Sequence, residues 1–188
     1  MKKLLILFVS ISALYGCVPA AVVVGATAGG AIVYDKRSFA DIRHDKKAEN
    51  DIRYWIESTP ELRDTTHISV AVYNGIALMV GQAETVQIRD RIYQAISNKP
   101  GIRRVFNGVT IGEPIPRAQR ANDAIITSEV RTVMVQKPGL SSNDIKVVTE
   151  DSVVYLLGRV NHAQGELATD AARNIGGVSK VVKVFEYI

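Results

Sequence analysis

Apolar residues recur along the chain in an order that predicts the same series of elements twice. Between residues 48 and 112 they fall at helical spacing, then in two strand-like runs, then at helical spacing again and in a last strand. The same order returns between residues 122 and 188. The two hairpin regions align at an offset of 77 residues, which pairs Gly81 with Gly158. The chain is therefore predicted to contain two α-β-β-α-β units.

The first unit has clear signals for each of its elements. Its opening helix carries Ile52 and Ile56 on one face. The hairpin that follows is expected to turn at Asn74-Gly75, because both turn positions need a positive φ. Thr85 is expected to cap the second helix, and residues 105–111 form the last strand.

The second unit follows the same plan with weaker turn signals. Asn122 or Asp123 is expected to cap its opening helix, whose apolar stripe includes Ile126 and Val130. Its hairpin turn is predicted at residues 150–152.

These elements predict an α+β fold. A helix that connects two strands makes them parallel, whereas a hairpin is antiparallel, so each sheet is predicted to be three-stranded and mixed. Two helices on one face of each sheet is the economical packing. A unit of about 65 residues has a small core, so docking of the two units should stabilise both.

The start of the chain is typical of a secretory signal that ends in a lipobox. Two lysines precede an apolar run over residues 4–14, and a glycine precedes Cys17. Cleavage after residues 1–16 would leave the Cys17 thiol free to carry diacylglycerol. Tyr15 departs from the small residue usual at its position, and the alternative is an incidental cysteine behind an ordinary signal peptide. Because Cys17 is the only cysteine, an internal disulfide is excluded.

A lipidated tether is predicted to connect this anchor to the repeat. Residues 18–33 are apolar and rich in glycine, but they are shorter than the ~20 residues of a spanning helix, which favours a segment at the lipid surface. Residues 34–47 are polar and lack apolar periodicity. The predicted boundaries are a tether over 17–44, a first unit over 45–112, a proline-containing linker over 113–120 and a second unit over 121–188.

Charge and candidate chemistry exclude several classes of function. Loss of two signal-peptide lysines lowers the count of Lys and Arg from 23 to 21, against 19 acidic residues, and no dense basic run remains for nucleic acid. His44, His67 and His162 lie far apart, and no nucleophile motif or phosphate loop is present. We therefore expect a protein that is not an enzyme and that binds no metal or cofactor.

The repeat resembles a known family once its glycines are considered. A glycine expected to end the second strand (Gly81, Gly158) and a Gly-Ile or Gly-Val pair before the last strand (Gly101, Gly177) are similar to the BON domain. Two such units behind a lipobox resemble the dual-BON outer-membrane lipoproteins over nearly the whole chain. For Gly81 and Gly158 we expect a structural role, a backbone turn or a close helix–strand approach, rather than ligand binding.

The resemblance implies a protein held at the periplasmic face of the outer membrane. It further implies binding of anionic phospholipid through the second BON domain, a role in envelope integrity, and association with the outer-membrane assembly machinery. The alternative is a protein–protein scaffold for assembly or cell-wall machinery without direct lipid recognition.

The opening helix of the second unit is the predicted phospholipid contact. Ile125 lies about 100° round the helix from Ile126, so we expect it to be partly exposed. Arg120 and Arg131 are expected to meet lipid phosphates. An offset of 74 places Asp51 of the first unit at the position of Ile125, where a carboxylate would be repelled by anionic headgroups. The alternative is that Ile125 packs on the first unit and the arginines are merely solvated.

Overall fold

A computed structural model describes residues 37–188, and these residues lie in one compact unit of the chain. The predicted repeat and the α+β fold class are confirmed. The first unit comprises α1 (Phe39–Ser58), α2 (Pro60–Thr65), β1 (Thr66–Tyr73), β2 (Ile76–Ala83), α3 (Val86–Ser97) and β3 (Arg104–Ile111). The second unit comprises α4 (Arg117–Gln136), β4 (Ile145–Glu150), β5 (Val153–Val160), α5 (His162–Arg173) and β6 (Lys180–Tyr187).

The sheet topology of both units is the predicted one. In each unit the hairpin is antiparallel, β1 with β2 and β4 with β5. The last strand pairs in parallel with the second arm of the hairpin, β3 with β2 and β6 with β5. Each sheet is therefore three-stranded and mixed, with β1 and β3 at the edges of one and β4 and β6 at the edges of the other.

Helix α1 begins earlier than the sequence indicated. Ser38 caps it by accepting a hydrogen bond from the Asp41 amide at 3.1 Å, so the helix starts at Phe39, inside the segment predicted to be a polar tether. Its first turns are exposed and therefore show no apolar periodicity. Pro60 follows the end of this helix and begins the short helix α2.

Helix α4 also begins early, which corrects its predicted cap. The residue before its first turn is Pro116, whose carbonyl accepts from the Arg120 amide at 3.1 Å. The last residues of the predicted linker are therefore helical. Asn122 and Asp123 lie inside the helix, and neither caps it.

Asp123 instead holds the hairpin turn of its unit. Its carboxylate accepts hydrogen bonds from the amides of Asp151 and Ser152 at 2.8 and 2.9 Å. Both turn residues have positive φ, 48° and 62°, although neither is glycine. In the first unit Asp45 does the same for the Asn74-Gly75 turn, at 2.6 and 2.9 Å.

These two aspartates reveal the true register of the opening helices. Asp45 and Asp123 differ by 78 positions, and at this offset the buried positions of α1 match those of α4. The predicted offset of 74 is wrong by one helical turn, because both helices repeat their apolar residues every four positions. The residue that matches Ile125 is therefore Lys47, and Asp51 matches Glu129.

Three apolar clusters build the core. One lies between the helices and the sheet of each unit, centred on Ile52 and Ile92 in the first and on Val130 and Ala168 in the second. The third joins the other faces of the two sheets, so the sheets pack against each other. It contains Ala71, Tyr73, Ile76, Leu78, Val80, Tyr155, Leu157 and Val184. Each helix pair therefore lies outside, and each sheet is covered on both faces.

Polar contacts at the margin of this interface connect the two units. Glu49 of α1 forms an ion pair with Lys146 of β4 and accepts from the Val72 amide at 3.0 Å. Burial acts to raise the pKa of Glu49, but the hydrogen bond and charge of Lys146, with the Val72 amide and Lys46, outweigh it and lower that pKa. The carboxylate is therefore held in its ionised form.

A second contact across the interface involves a carboxyl group whose pKa is shifted in the opposite direction. The side-chain amide of Gln82 donates to buried Glu150 at 3.0 Å. Burial raises the pKa of Glu150, and the nearby carboxylates of Asp123 and Asp151 add to this effect. Gln82 also accepts from the Ile115 amide at 3.1 Å, which fixes the connection between the units.

Gly81 and Gly158 lie where two backbones approach closely. A Cβ atom at Gly81, whose φ is +121°, would overlap the carbonyl oxygen of His67 on β1. A Cβ atom at Gly158 would lie 2.5 Å from the carbonyl oxygen of Asp144. At Gly81 the close neighbour lies in β1 itself, whereas at Gly158 it is the last residue of a short 3-10 helix (Ser142–Asp144) that leads into β4.

Candidate membrane-contact surface

The outer face of α4 is uncharged over most of its length. Ile126 and Val130 point into the core, whereas Ile125 is 58% exposed and Val135 is 70% exposed. The exposed neutral residues that share this side of the helix are Ala121, Ala124, Ile125, Ser128, Thr132 and Val135. We call this set the α4 outer face. Glu129 is the acidic residue at its margin.

Arg131 flanks this face with a guanidinium that the sheet holds in place. Its Nη2 donates to the carbonyl oxygen of Val147 on edge strand β4 at 3.1 Å. The residue is exposed and borders a depression of about 410 Å³ that also touches Ser128 and Val135. The structure thus places a cation beside the neutral side chains, although Ile125 lies about 120° round the helix from it.

Arg120 does not belong to this surface. Its side chain is half-buried beside the first unit, with Nη1 3.4 Å from Nδ1 of His67. Its buried Nε has no hydrogen-bond partner within residues 37–188. Burial lowers the pKa of His67, and the charge of Arg120 lowers it further. The three residues predicted to contact lipid are therefore divided between two places.

The matching face of α1 is charged. Lys47, which occupies the position of Ile125, forms an ion pair with Asp51 at 2.8 Å. Tyr54 is 73% exposed and lies beside Arg53 and Glu57. Side chains of both signs keep this face hydrated.

The remaining predictions concern the lipidated cysteine, metal sites and membrane-spanning helices. Cys17 lies outside the described residues. Between residues 37 and 188 no group of three or more His, Cys, Asp or Glu side chains is arranged to hold a metal ion. Over the same range no helix has the length and apolar character needed to cross a bilayer.

Comparison with known families agrees with this repeat. The family model for the BON domain matches residues 44–113 and again residues 122–188. The chain belongs to the BON-domain family. Each α-β-β-α-β unit is one BON domain, and α4 opens the second.

Two curated relatives extend the BON comparison to most or all of the chain. The chain is 31% identical over 188 residues to "Outer membrane lipoprotein DolP" of Haemophilus influenzae, which covers 100% of this chain and 97% of the relative. It is 30% identical over 154 residues to "21 kDa hemolysin" of Actinobacillus pleuropneumoniae, covering 82% and 79%. These relationships support an outer-membrane lipoprotein with two BON domains, and neither relative is named as an enzyme.

Solved structures give a weaker likeness. Two chains of CdsD, a structural protein of the type III secretion system of Chlamydia trachomatis, align at 13% and 12% identity with TM-scores of 0.31 and 0.32. The alignments cover 77% and 81% of this chain, and 63% and 100% of the CdsD chains.

Sequence reasoning missed two features of the BON domains. The role of Asp45 and Asp123 depends on where the hairpin turn docks, which no local pattern showed. The α4 outer face was readable in part, because its neutral residues recur every three or four positions from Ala121 to Val135. The exposed position of Ile125 indicated only one point of this face.

Proposed function

We propose that the protein is anchored through a lipidated Cys17 at the periplasmic face of the outer membrane and binds anionic phospholipid through α4 of its second BON domain. The observation that carries the proposal is the α4 outer face, which combines exposed Ile125 and Val135 with few charges. The relationship to an outer-membrane lipoprotein supports the location. A role in envelope integrity and association with the outer-membrane assembly machinery are part of this proposal.

Small and neutral side chains allow the helix to lie close to the headgroups. Ala121 and Ser128 add little height to the face, so Ile125 and Val135 project from it. Full burial of an isoleucine side chain contributes about 1.5–3 kcal/mol. The desolvation cost at this face is low because its centre carries no ionised group that would lose water.

Arg131 supplies the preference for anionic lipid. A cation near an anionic membrane surface contributes about 1 kcal/mol. Nη2 of Arg131 donates to the carbonyl oxygen of Val147, which orients the guanidinium without neutralising its charge. Arg120 is omitted from the lipid contact because it lies against His67.

Co-sedimentation of residues 33–188 with vesicles tests the lipid part of the proposal. This fragment lacks the anchor but contains the whole compact unit. We expect it to sediment with phosphatidylglycerol vesicles several-fold more than with phosphatidylcholine vesicles, and the difference to shrink at high salt. Equal sedimentation with both would favour a protein–protein scaffold.

The anchor needs a separate test in the full chain. Cys17→Ala should abolish acylation and give a soluble or uncleaved species. Unchanged membrane fractionation of this variant, together with an absence of acyl mass on the parent, would contradict the anchor.

A further inference from the structure

The outer edge of β1 carries backbone groups that nothing in the described chain pairs with. Val72 donates its amide to Glu49, away from β2, and alternate residues of a strand direct their backbone groups to the same side. The N–H and C=O groups of Ile68 and Val70 therefore also point away from β2. Within residues 37–188 no side chain or turn forms a hydrogen bond to these four groups.

The open stretch of this edge is short and well bounded. Beyond Val70 the edge is closed, because Glu49 accepts from Val72 and Asp45 accepts from Asn74. On the other side β1 begins at Thr66, directly after α2. About five residues of an added strand would fit between these limits.

In the second BON domain an arginine covers one carbonyl of the corresponding edge. Val147 corresponds to Val70, and its carbonyl oxygen accepts from Arg131. The residue that corresponds to Arg131 is Arg53, but its Nη2 donates to Oδ1 of Asn50 at 3.0 Å. The α4 residue at the position of Asn50 is Ser128, which is too short to hold an arginine in this way. Arg53 is thus held away from Val70, and the first edge stays open.

The open edge lies at the bottom of a groove of about 350 Å³. Its apolar lining is formed by Ile56, Ile68 and Val70. Its charged lining comprises two cations, Arg53 of α1 and Arg63 of α2, and one carboxylate, Glu57 of α1. Residues of both helices line the groove beside the strand, which favours a single extended segment over the edge of a second folded sheet.

We propose that an extended peptide segment of another protein pairs with β1 at Ile68 and Val70, with a carboxylate side chain placed beside Arg53. Backbone hydrogen bonds of the added strand would supply affinity, and apolar side chains at alternate positions would enter the groove. A carboxylate can replace the neutral Asn50 partner of Arg53 by an ion pair. Arg63 already has a carboxylate partner, Asp64, at 2.8 Å.

The probe is a pentapeptide, blocked at both ends, of threonine, valine, glutamate, valine and threonine in that order. It is added to the full-length chain in detergent, and amide hydrogen exchange is followed residue by residue. We expect exchange at Ile68 and Val70 to slow at least tenfold at saturating peptide. The same peptide with glutamine in place of glutamate should bind at least threefold more weakly.

Two variants make the outcome specific. Arg53→Ala should remove the difference between the glutamate and glutamine peptides while the exchange pattern of the free protein stays unchanged. Val70→Pro, which deletes one edge N–H, should prevent peptide binding, whereas the matched Val147→Pro should not.

Two results would overturn the proposal. One is peptide binding without protection of Ile68 and Val70. The other is protection of these amides in the free protein that disappears on dilution, since this would show that a second copy of the chain covers the edge.

Discussion

The opening helices of the two BON domains are built alike inside and differently outside. Asp45, Ile52 and Ile56 of α1 occupy the same buried positions as Asp123, Val130 and Met134 of α4. The outer faces differ: α1 carries Lys47 at the position where α4 carries exposed Ile125.

The buried inner faces are constrained by folding, whereas the exposed outer faces are free to differ. The inner faces must fill a core of fixed shape, so both helices keep the same periodicity. Nothing in the fold demands an exposed isoleucine or a neutral outer surface. We therefore assign the α4 outer face to the proposed membrane contact rather than to folding.

The largest expected effect tests whether the two structural glycines are equivalent. Gly81→Ala should destabilise the protein by about 3–5 kcal/mol, because it combines a strained φ of +121° with overlap of the His67 carbonyl. Gly158→Ala should cost about 1–3 kcal/mol, since only the contact with Asp144 must relax. Urea unfolding measures both, and equal losses would contradict the distinction.

The two aspartates that bind the hairpin turns test whether the inner faces of α1 and α4 are equivalent. Asp123→Ala leaves the amides of Asp151 and Ser152 without their acceptor and should cost about 2–4 kcal/mol. Asp45→Ala should cost a similar amount for the same reason. Glu129→Ala, an exposed change on α4, serves as the control and should stay within about 0.5 kcal/mol. If the aspartate variants lose no more unfolding free energy than this control, the turns do not depend on the aspartate carboxylates.

The ion pair between the domains should give stability that depends on pH. The pKa of Glu49 is lowered in the folded protein, so its contribution is present above the unfolded value near 4.3 and is lost as pH falls through the folded value. Lys146→Met should therefore cost about 1–3 kcal/mol at pH 7 and less at pH 3. Thermal unfolding at both pH values checks this, and a cost independent of pH would contradict the role of the pair.

Glu150 should act in the opposite direction, with a smaller effect. Its pKa is raised, so the folded protein holds the proton more tightly than the unfolded chain, and stability falls as pH rises above the unfolded value. Glu150→Gln keeps an acceptor for Gln82 but removes the charge. Relative to the parent, this variant should therefore gain stability between pH 4 and pH 7 in the same unfolding experiment. A constant difference between the two proteins would show that Glu150 does not titrate in this range.

The sequence predicted the repeat because strands, helices and their turns leave local signals. Asn74-Gly75, Thr85 and the apolar stripes all lie where they were expected. It did not predict the start of α1 at Phe39, since exposed helical turns need no apolar residues. It also misaligned α1 and α4 by one turn, and only the contact of each aspartate with its hairpin resolves that ambiguity.

For the candidate site, exposure was predictable but location was not. Ile125 is exposed as its helical position indicated. Arg120 and Arg131 lie eleven residues apart on similar sides of α4, yet one reaches His67 of the first domain and the other the edge of β4. That distinction depends on the packing of one sheet against the other, a long-range feature without a local sequence signal.

The most direct test of the account compares one exposed residue on each opening helix. Ile125→Asp and Tyr54→Asp both place a carboxylate at an outward position of the compact fragment 33–188, and both are expected to leave folding intact. Co-sedimentation with phosphatidylglycerol vesicles should fall at least several-fold for Ile125→Asp and change little for Tyr54→Asp. Parent-like binding by Ile125→Asp, or an equal loss for both variants, would contradict a membrane contact through α4.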